Sequence, residues 1–344
     1  MRERIVVIGA GSWGTALAIS LASNNEEVLL WARREDLADQ MASSRENKEY
    51  LPGANIPDNI QVTHDLEEAV KRAGIWVFAT PSQSIRQVGL QVADLVSNDT
   101  VVISVAKGIE NKTLMLSSEV LTEVLPKANP ELIGVLYGPS HAEELAQGLP
   151  TTIVAAADKE ETAVAIHKAF NTDRLRVYVN TDLKGVQIGG SVKNVMAIAA
   201  GISDGVGFGD NAKAAIVTRG MAEIRRLGLA MGARAETFLG LSGIGDLVVT
   251  CMSGLSRNRY LGEQIGRGKQ LPEIQAEMNM VAEGVRTTES IIALARRYSI
   301  EMPISEAVYA ILFEGKRPLD AVSELMNRAA KQEDWLPAEI AKIS

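Results

Sequence analysis

The sequence predicts an α/β protein with a doubly wound N-terminal domain, residues 1–181, followed by an all-helical C-terminal domain, residues 182–344. Short Val/Ile-rich runs alternate with helical patterns through the first half of the chain. A glycine-rich turn, G-A-G-S-W-G, follows the first of these runs, and strand patterns stop at about residue 182. Nearly continuous apolar strands separated by helices indicate a parallel sheet, which right-handed crossovers cover on both faces.

The individual elements follow from hydrophobic periodicity and from the Gly and Pro residues between the runs. Strands are predicted at 4–8, 27–31, 74–79, 100–104, 133–137, 151–156 and 174–178. Helices are predicted between them at 14–23, 35–43, 82–96, 114–124 and 159–169. Further helices are predicted at 182–203, 210–228, 235–240, 257–267, 271–279, 284–298, 304–313 and 318–327. The long apolar segment that begins near Thr181 is expected to lie between the two domains.

Composition excludes several classes of function. The net charge of −8, with both signs interspersed, argues against general binding to nucleic acid or to anionic membranes. Cys251 is the single cysteine, so no internal disulfide forms, and no Cys/His cluster has zinc-ligand spacing. There is no signal peptide and no run of 18 apolar residues, so we expect a cytoplasmic protein without integral membrane contact and without a metal.

The turn at residues 9–14 is the expected dinucleotide site. Gly9 allows the tight turn, Gly11 lets the backbone approach a pyrophosphate, and Gly14 lets the following helix pack closely on the strand. The free N–H groups and the dipole at the start of that helix favour an anion. Ser12 and Trp13 lie inside the turn and are expected to line the cofactor.

The end of the second strand bears on the choice of cofactor. An acidic residue at this place accepts hydrogen bonds from the ribose hydroxyls of NAD, but here Arg33 and Arg34 follow the strand. Two guanidinium groups suit a 2′-phosphate, which favours NADPH over NADH. The alternative is that both arginines are simply solvated.

Residues after two later strands are candidates for substrate binding. Lys107 follows a buried strand at the sheet edge where ligands bind in parallel sheets. Gly138 lies in the turn that leaves the next strand, and Ser140 either caps the following helix or faces a ligand. His141 is a rival candidate for the general base, although a lone histidine at a helix start is more often structural.

Lys193 is the strongest catalytic candidate, because it lies early in the long apolar helix expected between the domains. Burial disfavours the charged form of a lysine, and a lysine with a lowered pKa can exchange a proton with a carbonyl or alcohol oxygen. The alternative is a lysine whose ammonium group reaches solvent. Asp246, after the turn G-I-G, can pair with Lys193 or bind substrate hydroxyls.

Two further segments begin helices in the second half. Ser256, Arg257 and Asn258 form a compact anion site at a helix N-terminus, for which phosphate is the simplest ligand. Glu283, in V-A-E-G, either reaches the cofactor or caps the next helix.

These motifs together, with A-K-G at 106–108, G-P-S at 138–140, G-G-S-V-K-N at 189–194 and S-R-N-R at 256–259, resemble the bacterial cytosolic form of NAD(P)-dependent glycerol-3-phosphate dehydrogenase. The resemblance implies a Rossmann-like domain, an all-helical domain and reversible reduction of dihydroxyacetone phosphate to sn-glycerol 3-phosphate. It implies cofactor contacts from Ser12, Trp13, Arg33, Lys107, Ala142, Arg257, Val281 and Glu283. It implies substrate contacts from Lys107, Gly138, Ser140, Lys193, Asp246, Ser256, Arg257 and Asn258, with Lys193 as the proton donor and acceptor.

Two other functions compete with this interpretation. Dehydrogenases for 6-phosphogluconate or 3-hydroxyacids also place a lysine on an interdomain helix, in a G-x-x-x-K-x-x-x-N pattern. Gly189 and Lys193 fit that pattern, but residue 197 is Ala rather than Asn. A non-enzymatic redox sensor would need an output module, and none is evident. A homodimer is expected, because helical C-terminal domains of this kind commonly offer an apolar face.

Overall fold

Within residues 4–24, 27–278 and 281–329, which the computed structural model describes, eight strands form one sheet in the N-terminal half. Strands β1–β10 span Ile5–Ile8, Val28–Trp31, Glu46–Asn47, Leu51–Asn55, Ile60–Thr63, Ile75–Phe78, Val101–Ser104, Ile133–Tyr137, Thr151–Ala157 and Leu175–Asn180. The seven predicted strands are all present, with ends within two residues of the predictions. Strand β5 and the small antiparallel hairpin of β3 and β4 were not predicted, because their segments are short and mostly polar.

The strand order is β10-β9-β8-β7-β6-β1-β2-β5, so β1 lies between β2 and β6. The strands β1, β2 and β6 are parallel, but successive strands are added on opposite sides of β1, so the strand order reverses there. Open α/β sheets bind ligands at such a point, at the carboxyl ends of their strands. The expectation of a wholly parallel sheet is wrong in one place, since β8 and β9 pair antiparallel. Only the five-residue helix Ala142–Ala146 lies between them, and it is too short to return the chain along the sheet.

The sheet is covered on both faces by helices from the same half of the chain. Helices α1–α7 span Ser12–Ala22, Glu35–Ser44, Leu66–Lys71, Ile85–Val92, Ser117–Val124, Ala142–Ala146 and Glu160–Phe170. One core contains alternate strand residues such as Ile5 and Val7 with side chains of α1, α2, α6 and α7. The other contains Val6 and Ile8 with side chains of α3, α4 and α5. This alternation is the two-residue period of a strand, and it accounts for strands that are apolar on both sides.

After Asn180 no strand occurs in the part of the chain that the structure describes. Helices α8–α15 span Leu183–Val206, Asp210–Ala230, Asp246–Met252, Arg257–Gly266, Leu271–Glu277, Glu283–Arg297, Pro303–Phe313 and Pro318–Met326. The segment Ala235–Leu239, predicted as part of a helix at 235–240, is a short 3₁₀ helix. The segment Leu241–Gly245, which precedes α10, is kinked at Gly243, whose backbone angles are not helical. Helix α10 itself was not predicted. The last residue of the helix predicted at 271–279 and residues 330–344 lie outside the described residues.

Helix α8 is the axis of the helical half. Its residues 185–203 are all buried, and most of them are apolar or small, which is typical of a helix enclosed on all sides. It contacts strands β8 and β9 at one end and helices α9, α10, α11 and α13 along its length. The long apolar segment therefore lies between the sheet and the other helices, as the sequence predicted.

Helices α8 and α11 approach each other closely through glycine residues on both helices. A Cβ atom added at Gly201 would lie 1.9 Å from the carbonyl oxygen of Arg259, and one added at Gly262 would lie 2.1 Å from that of Ile198. Gly205 and Gly266 make similar contacts with the opposite backbone. The close approach fixes the position of the α11 N-terminus relative to α8.

Neither a bilayer-spanning helix nor a cluster of side chains arranged to hold a metal ion occurs in the described ranges. No helix there combines the length and apolar character needed to cross a membrane. No group of three or more His, Cys, Asp or Glu side chains there has the geometry of a metal site.

We predict that Gly262→Ala destabilises the protein, because the added methyl group would meet backbone that cannot move aside. Overpacking of this kind costs roughly 1–3 kcal/mol or more. Chemical denaturation should show the loss, with Gly254→Ala as the matched control, because nothing lies within 4 Å of a Cβ added there. Equal stability of the two variants would contradict the described packing of α8 on α11.

Candidate active site

A cleft of about 490 Å³ opens between the carboxyl edge of the sheet and the helical half of the molecule. The sheet side is formed by the ends of β1, β2, β6 and β7, and the helical side by α8, α10 and α11 and by the start of α13. The volume is typical of a site for a small molecule or cofactor. The cleft is the place where most of the predicted site residues meet.

The glycine turn begins this cleft. Gly9 has a φ of +125°, and a Cβ there would lie 2.8 Å from the backbone of Ala79, so only glycine fits. A Cβ at Gly14 would lie 1.9 Å from the carbonyl oxygen of Gly9, so α1 packs directly on the strand end. No protein atom lies near the Cβ position of Gly11, which begins α1 without a side-chain cap. The first N–H groups of α1 are therefore available to an anion.

Three buried polar atoms among the cleft residues have no hydrogen-bond partner within the described chain. They are the indole Nε1 of Trp13, the hydroxyl of Thr80 and the Nε2 of His141. Buried polar groups are nearly always hydrogen-bonded, so such atoms in a cleft indicate a ligand that bonds to them. Together with the glycine turn, they fit a dinucleotide with several polar groups along its length.

Lys107, at the end of β7, holds the sheet side of the cleft to the helical side. Its ammonium group donates to the carbonyl oxygen of Gly138 (2.7 Å), to the hydroxyl of Ser140 (2.8 Å) and to the carboxylate of Asp246 (2.9 Å). All three of its N–H bonds are used in this way. Of the two alternatives for Ser140, capping of α6 is not observed, because its hydroxyl donates to the Gly138 carbonyl and accepts from Lys107. His141 is the N-cap residue of α6 and makes no side-chain cap.

Lys193 lies on α8 at the centre of the cleft and is 6% exposed, which excludes an ammonium group that reaches bulk solvent. It donates to the Asp246 carboxylate at 2.5 Å and to the hydroxyl of Thr250 at 2.5 Å. Burial lowers the pKa of Lys193 to about 8, although the charge of Asp246 opposes that shift. Two of its three N–H bonds have partners in the described chain, so one is left for a ligand.

Asp246 and Thr250 stand one turn apart on α10 and act on Lys193 together. The Thr250 hydroxyl donates to the backbone carbonyl of Asp246 at 2.6 Å, so its oxygen is turned to accept from Lys193. Asp246 is fully buried in the first turn of α10, where the helix dipole also favours its negative charge. Thr250 was missed from the sequence because no helix was predicted at 246–252, and only a helix brings these two residues to one face.

A chain of amides links α8, α11 and α13 below the lysines. Asn194 donates to the carbonyl oxygen of Lys107 (3.0 Å), and Asn258 donates to Asn194 (3.0 Å). The N–H of Gly284 donates to Asn258 at 2.9 Å. Asn258 therefore lines the cleft and also connects α8 to α13. Asn194, which connects Lys107 to Asn258, was not predicted to be a site residue.

Two arginines lie near the N-terminus of α11, and only one of them, Arg259, is paired with carboxylates in the described chain. Ser256 caps the helix by accepting from the N–H of Arg259 at 3.2 Å. The guanidinium of Arg259 is held by Asp204, at 2.7 Å, and by Glu263. Arg257 lines the cleft, is exposed and has no ion pair in the described residues. Arg257 is therefore the guanidinium available to an anion here.

Glu283 makes a further contact between the two halves and lines the cleft. Its carboxylate accepts from the backbone N–H of Ser82 at 2.8 Å, and burial raises its pKa. It is the first residue of α13, with Ala282 rather than Glu283 in the cap position.

His141 also lines the cleft. Burial lowers its pKa below the ordinary value, so its side chain is mostly neutral at pH 7.

Most predicted site residues line this one cleft. Those that do are Gly9, Gly11, Ser12, Trp13, Arg33, Arg34, Lys107, Ser140, Ala142, Lys193, Asp246, Ser256, Arg257, Asn258, Val281 and Glu283. Gly14 lies behind the turn, where it packs on Gly9, and Gly138 contributes through its carbonyl oxygen to Lys107. Other residues that line the cleft were not predicted from the sequence to be site residues, among them Tyr50, Thr80, Asn194 and Thr250.

Comparison with known proteins identifies one family over nearly the whole chain. The model described as NAD-dependent glycerol-3-phosphate dehydrogenase N-terminus matches residues 4–163, and the corresponding C-terminus model matches residues 182–323. Glycerol-3-phosphate dehydrogenase (NAD(P)+) 2 of Salinibacter ruber is 58% identical over 100% of both chains. The enzyme of that name from Chlorobium phaeobacteroides is 54% identical over 96% of this chain and 99% of its own. The crystal structure of glycerol-3-phosphate dehydrogenase from Coxiella burnetii superimposes with a TM-score of 0.90 at 37% identity, over 95% of this chain and 99% of its own.

We predict that Asn258→Ala lowers stability, because it leaves the backbone N–H of Gly284 and the side-chain amide oxygen of Asn194 buried without these partners. Such unsatisfied groups cost about 1–3 kcal/mol. Denaturation of the variant should be compared with that of Asn327→Ala, whose exposed amide contacts only the Ser323 hydroxyl. If both variants unfold like the unmodified protein, the amide chain does not hold α8, α11 and α13 together.

Proposed function

The chain belongs to the NAD(P)-dependent glycerol-3-phosphate dehydrogenase family, and from this we propose how its cleft residues carry out the reaction. As a member, it is an oxidoreductase that reversibly reduces dihydroxyacetone phosphate to sn-glycerol 3-phosphate with a nicotinamide cofactor, in lipid metabolism. The observation that carries our assignment of roles is the buried pair of Lys193 and Asp246, in which Lys193 keeps one N–H for a ligand.

The cofactor is proposed to lie along the sheet edge, with its pyrophosphate at the N-terminus of α1. Gly11, Ser12 and Trp13 bind it there, and the unpartnered atoms of Thr80 and His141 supply further hydrogen bonds. Ala142, Val281 and Glu283 also line the cleft and are proposed to contact the cofactor. When bound, the nicotinamide supplies the hydride that is transferred to the carbonyl carbon.

The substrate phosphate is proposed to bind at the start of α11. The guanidinium group of Arg257 can donate two parallel hydrogen bonds to a phosphate, and it has no ion pair within the described chain. The dipole at the N-terminus of α11 also favours an anion. Asn258 and Ser256 lie beside it in the same cleft. The phosphate is thereby held next to Lys193, because α8 and α11 pack backbone to backbone.

Lys193 is proposed to donate a proton to the carbonyl oxygen as that oxygen gains negative charge. Asp246 and Thr250 fix the ammonium group by two hydrogen bonds, so its third N–H has a defined direction. Lys107, with its three N–H bonds already used, orients Asp246 and Ser140 instead of acting as the acid. In the reverse reaction, neutral Lys193 accepts the proton of the alcohol.

The hydroxyacid dehydrogenase alternative needs an amide one turn after the lysine. Residue 197 is Ala197, which is fully buried in α8. The amide beside the lysine is Asn194, and it bonds to Lys107 and Asn258. This arrangement favours dihydroxyacetone phosphate over a hydroxyacid as the substrate. Membership in a family of dehydrogenases argues against the other alternative, a redox sensor without catalytic activity.

NADPH is the preferred cofactor in this proposal, with NADH as the alternative. Arg33 follows β2, is exposed at the cleft and makes no hydrogen bond or ion pair in the described chain. A 2′-phosphate would meet that guanidinium group, whereas no acidic residue directly follows β2 to bind ribose hydroxyls.

We further propose a cytoplasmic homodimer. A reducing compartment suits the free thiol of Cys251, which is buried. Exposed apolar side chains at the end of the helical half, Phe313, Leu319 and Met326, offer a face for the second subunit. Light scattering during size-exclusion chromatography measures the mass, and a monomer at all concentrations would refute the dimer.

Lys193→Met should lower kcat for dihydroxyacetone phosphate reduction by roughly 10²–10⁴-fold, the usual contribution of a positioned proton donor. Binding of NAD(P)H, followed by nicotinamide fluorescence, should stay close to that of the unmodified enzyme. Lys184→Met is the matched control, because Lys184 is exposed on the same helix. Turnover that survives in Lys193→Met would refute the assigned role.

The two reaction directions should depend on pH in opposite ways. Reduction needs protonated Lys193 and should fall as pH rises through about 8, and oxidation needs the neutral amine and should rise through the same range. Because the Asp246 charge raises the pKa of Lys193, Asp246→Asn should move both limbs to lower pH. The profiles of kcat/KM measure this, and limbs that stay in place in Asp246→Asn would contradict the pairing.

Arg33→Met should weaken NADPH binding by roughly tenfold or more and leave NADH binding nearly unchanged, since charged hydrogen bonds contribute about 1.5–3 kcal/mol. Fluorescence titration of the full chain with both cofactors gives the two Kd values. A parallel loss for NADH would show that Arg33 does not bind a 2′-phosphate.

A further inference from the structure

We propose that Glu49 is a positioning residue that limits the discrimination between NADPH and NADH by holding Arg34 away from the ribose 2′-phosphate. Glu49 lies in the turn of the β3–β4 hairpin, between Asn47 and Leu51. The inference rests on the proposed binding of the adenosine end of the cofactor beside Arg33 and Arg34. It adds a residue that does not itself line the cleft.

The hairpin is attached firmly to the dinucleotide turn. Asn47 is fully buried, and its amide donates to the carbonyl oxygen of Ala10 (2.9 Å) and to the hydroxyl of Thr15 (2.8 Å). The N–H of Tyr50 donates back to Asn47 at 3.1 Å. Ala10 is inside the glycine turn, so the position of Glu49 is set by the same backbone that begins the cofactor site.

The two arginines at the end of β2 are not equivalent. Both terminal nitrogens of Arg34 donate to the Glu49 carboxylate, and its Nε lies 3.4 Å from Asp36. Arg33 has neither a hydrogen bond nor an ion pair in the described chain, although both arginines line the cleft. Arg33 therefore keeps its donors for a ligand, whereas those of Arg34 are shared with two carboxylates.

The charge of Glu49 acts against a 2′-phosphate and hardly affects a 2′-hydroxyl. A phosphate monoester carries about −1.5 to −2 charge at pH 7, so it competes with the carboxylate for Arg34. Hydrogen bonding with Tyr50 and then with Arg34 lowers the pKa of Glu49, so the carboxylate stays ionised at neutral pH. NADH has no charge at that position to be disfavoured.

The size of the effect follows from exposure. The side chains of Arg34 and Glu49 are 45% and 36% exposed, so water screens the pair. In water, a unit positive charge such as that of Arg34, placed about 6 Å from a phosphate, strengthens binding of the phosphate by roughly threefold for each negative charge that it carries. Release of Arg34 is therefore expected to tighten NADPH binding by roughly three- to tenfold.

The test uses the full chain with Glu49→Gln, Arg34→Met and the double variant. Glu67→Gln is the matched control, since Glu67 carries the same charge on α3, outside the cleft, and pairs with Lys71. Fluorescence titration gives the Kd values for NADPH and NADH, and calorimetry does so for adenosine 2′,5′-bisphosphate and for 5′-AMP. Glu49→Gln should lower Kd for the two 2′-phosphorylated ligands by about three- to tenfold, and change the other two by less than about twofold.

The double variant separates a positioning role from simple repulsion or loss of structure. If Glu49 acts through Arg34, Glu49→Gln has little effect in the Arg34→Met background. A change that persists undiminished there, or that is equal for all four ligands, overturns the inference, and so does a Glu67→Gln effect of the same size. The thermal midpoint of Glu49→Gln should match that of Glu67→Gln.

The same titrations distinguish this inference from the proposed NADPH preference. If Arg33→Met weakens NADPH alone but Glu49→Gln leaves the Kd ratio unchanged, the preference stands and the role of Glu49 is refuted. If the unmodified enzyme binds both cofactors equally and Arg33→Met changes neither, the preference fails. A shift of the ratio by Glu49→Gln in that case still supports the role of Glu49.

Discussion

One buried carboxylate, Asp246, connects the two halves of the active site. It accepts from Lys107 on the sheet side and from Lys193 on the helical side, at 2.9 and 2.5 Å. A buried charge is tolerated only when it is paired and hydrogen-bonded, and each of these three groups satisfies the others. The position of the reacting end of the cleft therefore depends on the sheet, α8 and α10 being held together.

Packing supplies that constraint. Helix α8 is mostly apolar and is buried by the sheet and the surrounding helices. The ammonium group of Lys193 therefore cannot reach solvent and stays paired with Asp246. The glycine contacts between α8 and α11 then fix the Arg257 end of the cleft at a set distance from Lys193. The same close packing that stabilises the helical half thus places the proposed anion site at Arg257 beside Lys193, the proposed proton donor, an arrangement suited to a small phosphorylated ketone.

The end of the cleft at Arg33 and Arg34, where we propose that the adenosine of the cofactor binds, is built by a less regular part of the chain. The β3–β4 hairpin is short and polar, yet Asn47 joins it to the glycine turn and Glu49 occupies Arg34. Two neighbouring arginines with the same charge consequently differ in what they offer a ligand. Because both arginines are exposed, water weakens their electrostatic interactions with a ligand. This end of the cleft is therefore suited to adjusting the relative affinity for NADPH and NADH rather than to excluding one of them.

Elements whose signal is local were predictable from the sequence. Seven strands, most helices and the turn at Gly9 belong to this class, because periodicity and glycine positions act within a few residues, and the burial of Lys193 followed from its place in a long apolar segment. Tertiary packing set the reversal of β9, the hairpin beside the glycine turn and the identity of Thr250 as a partner of Lys193. It also decided which lysine has an N–H to spare, since that depends on bonds between residues 53 and 139 positions apart in the chain. Such contacts are formed by packing, and no local pattern records them.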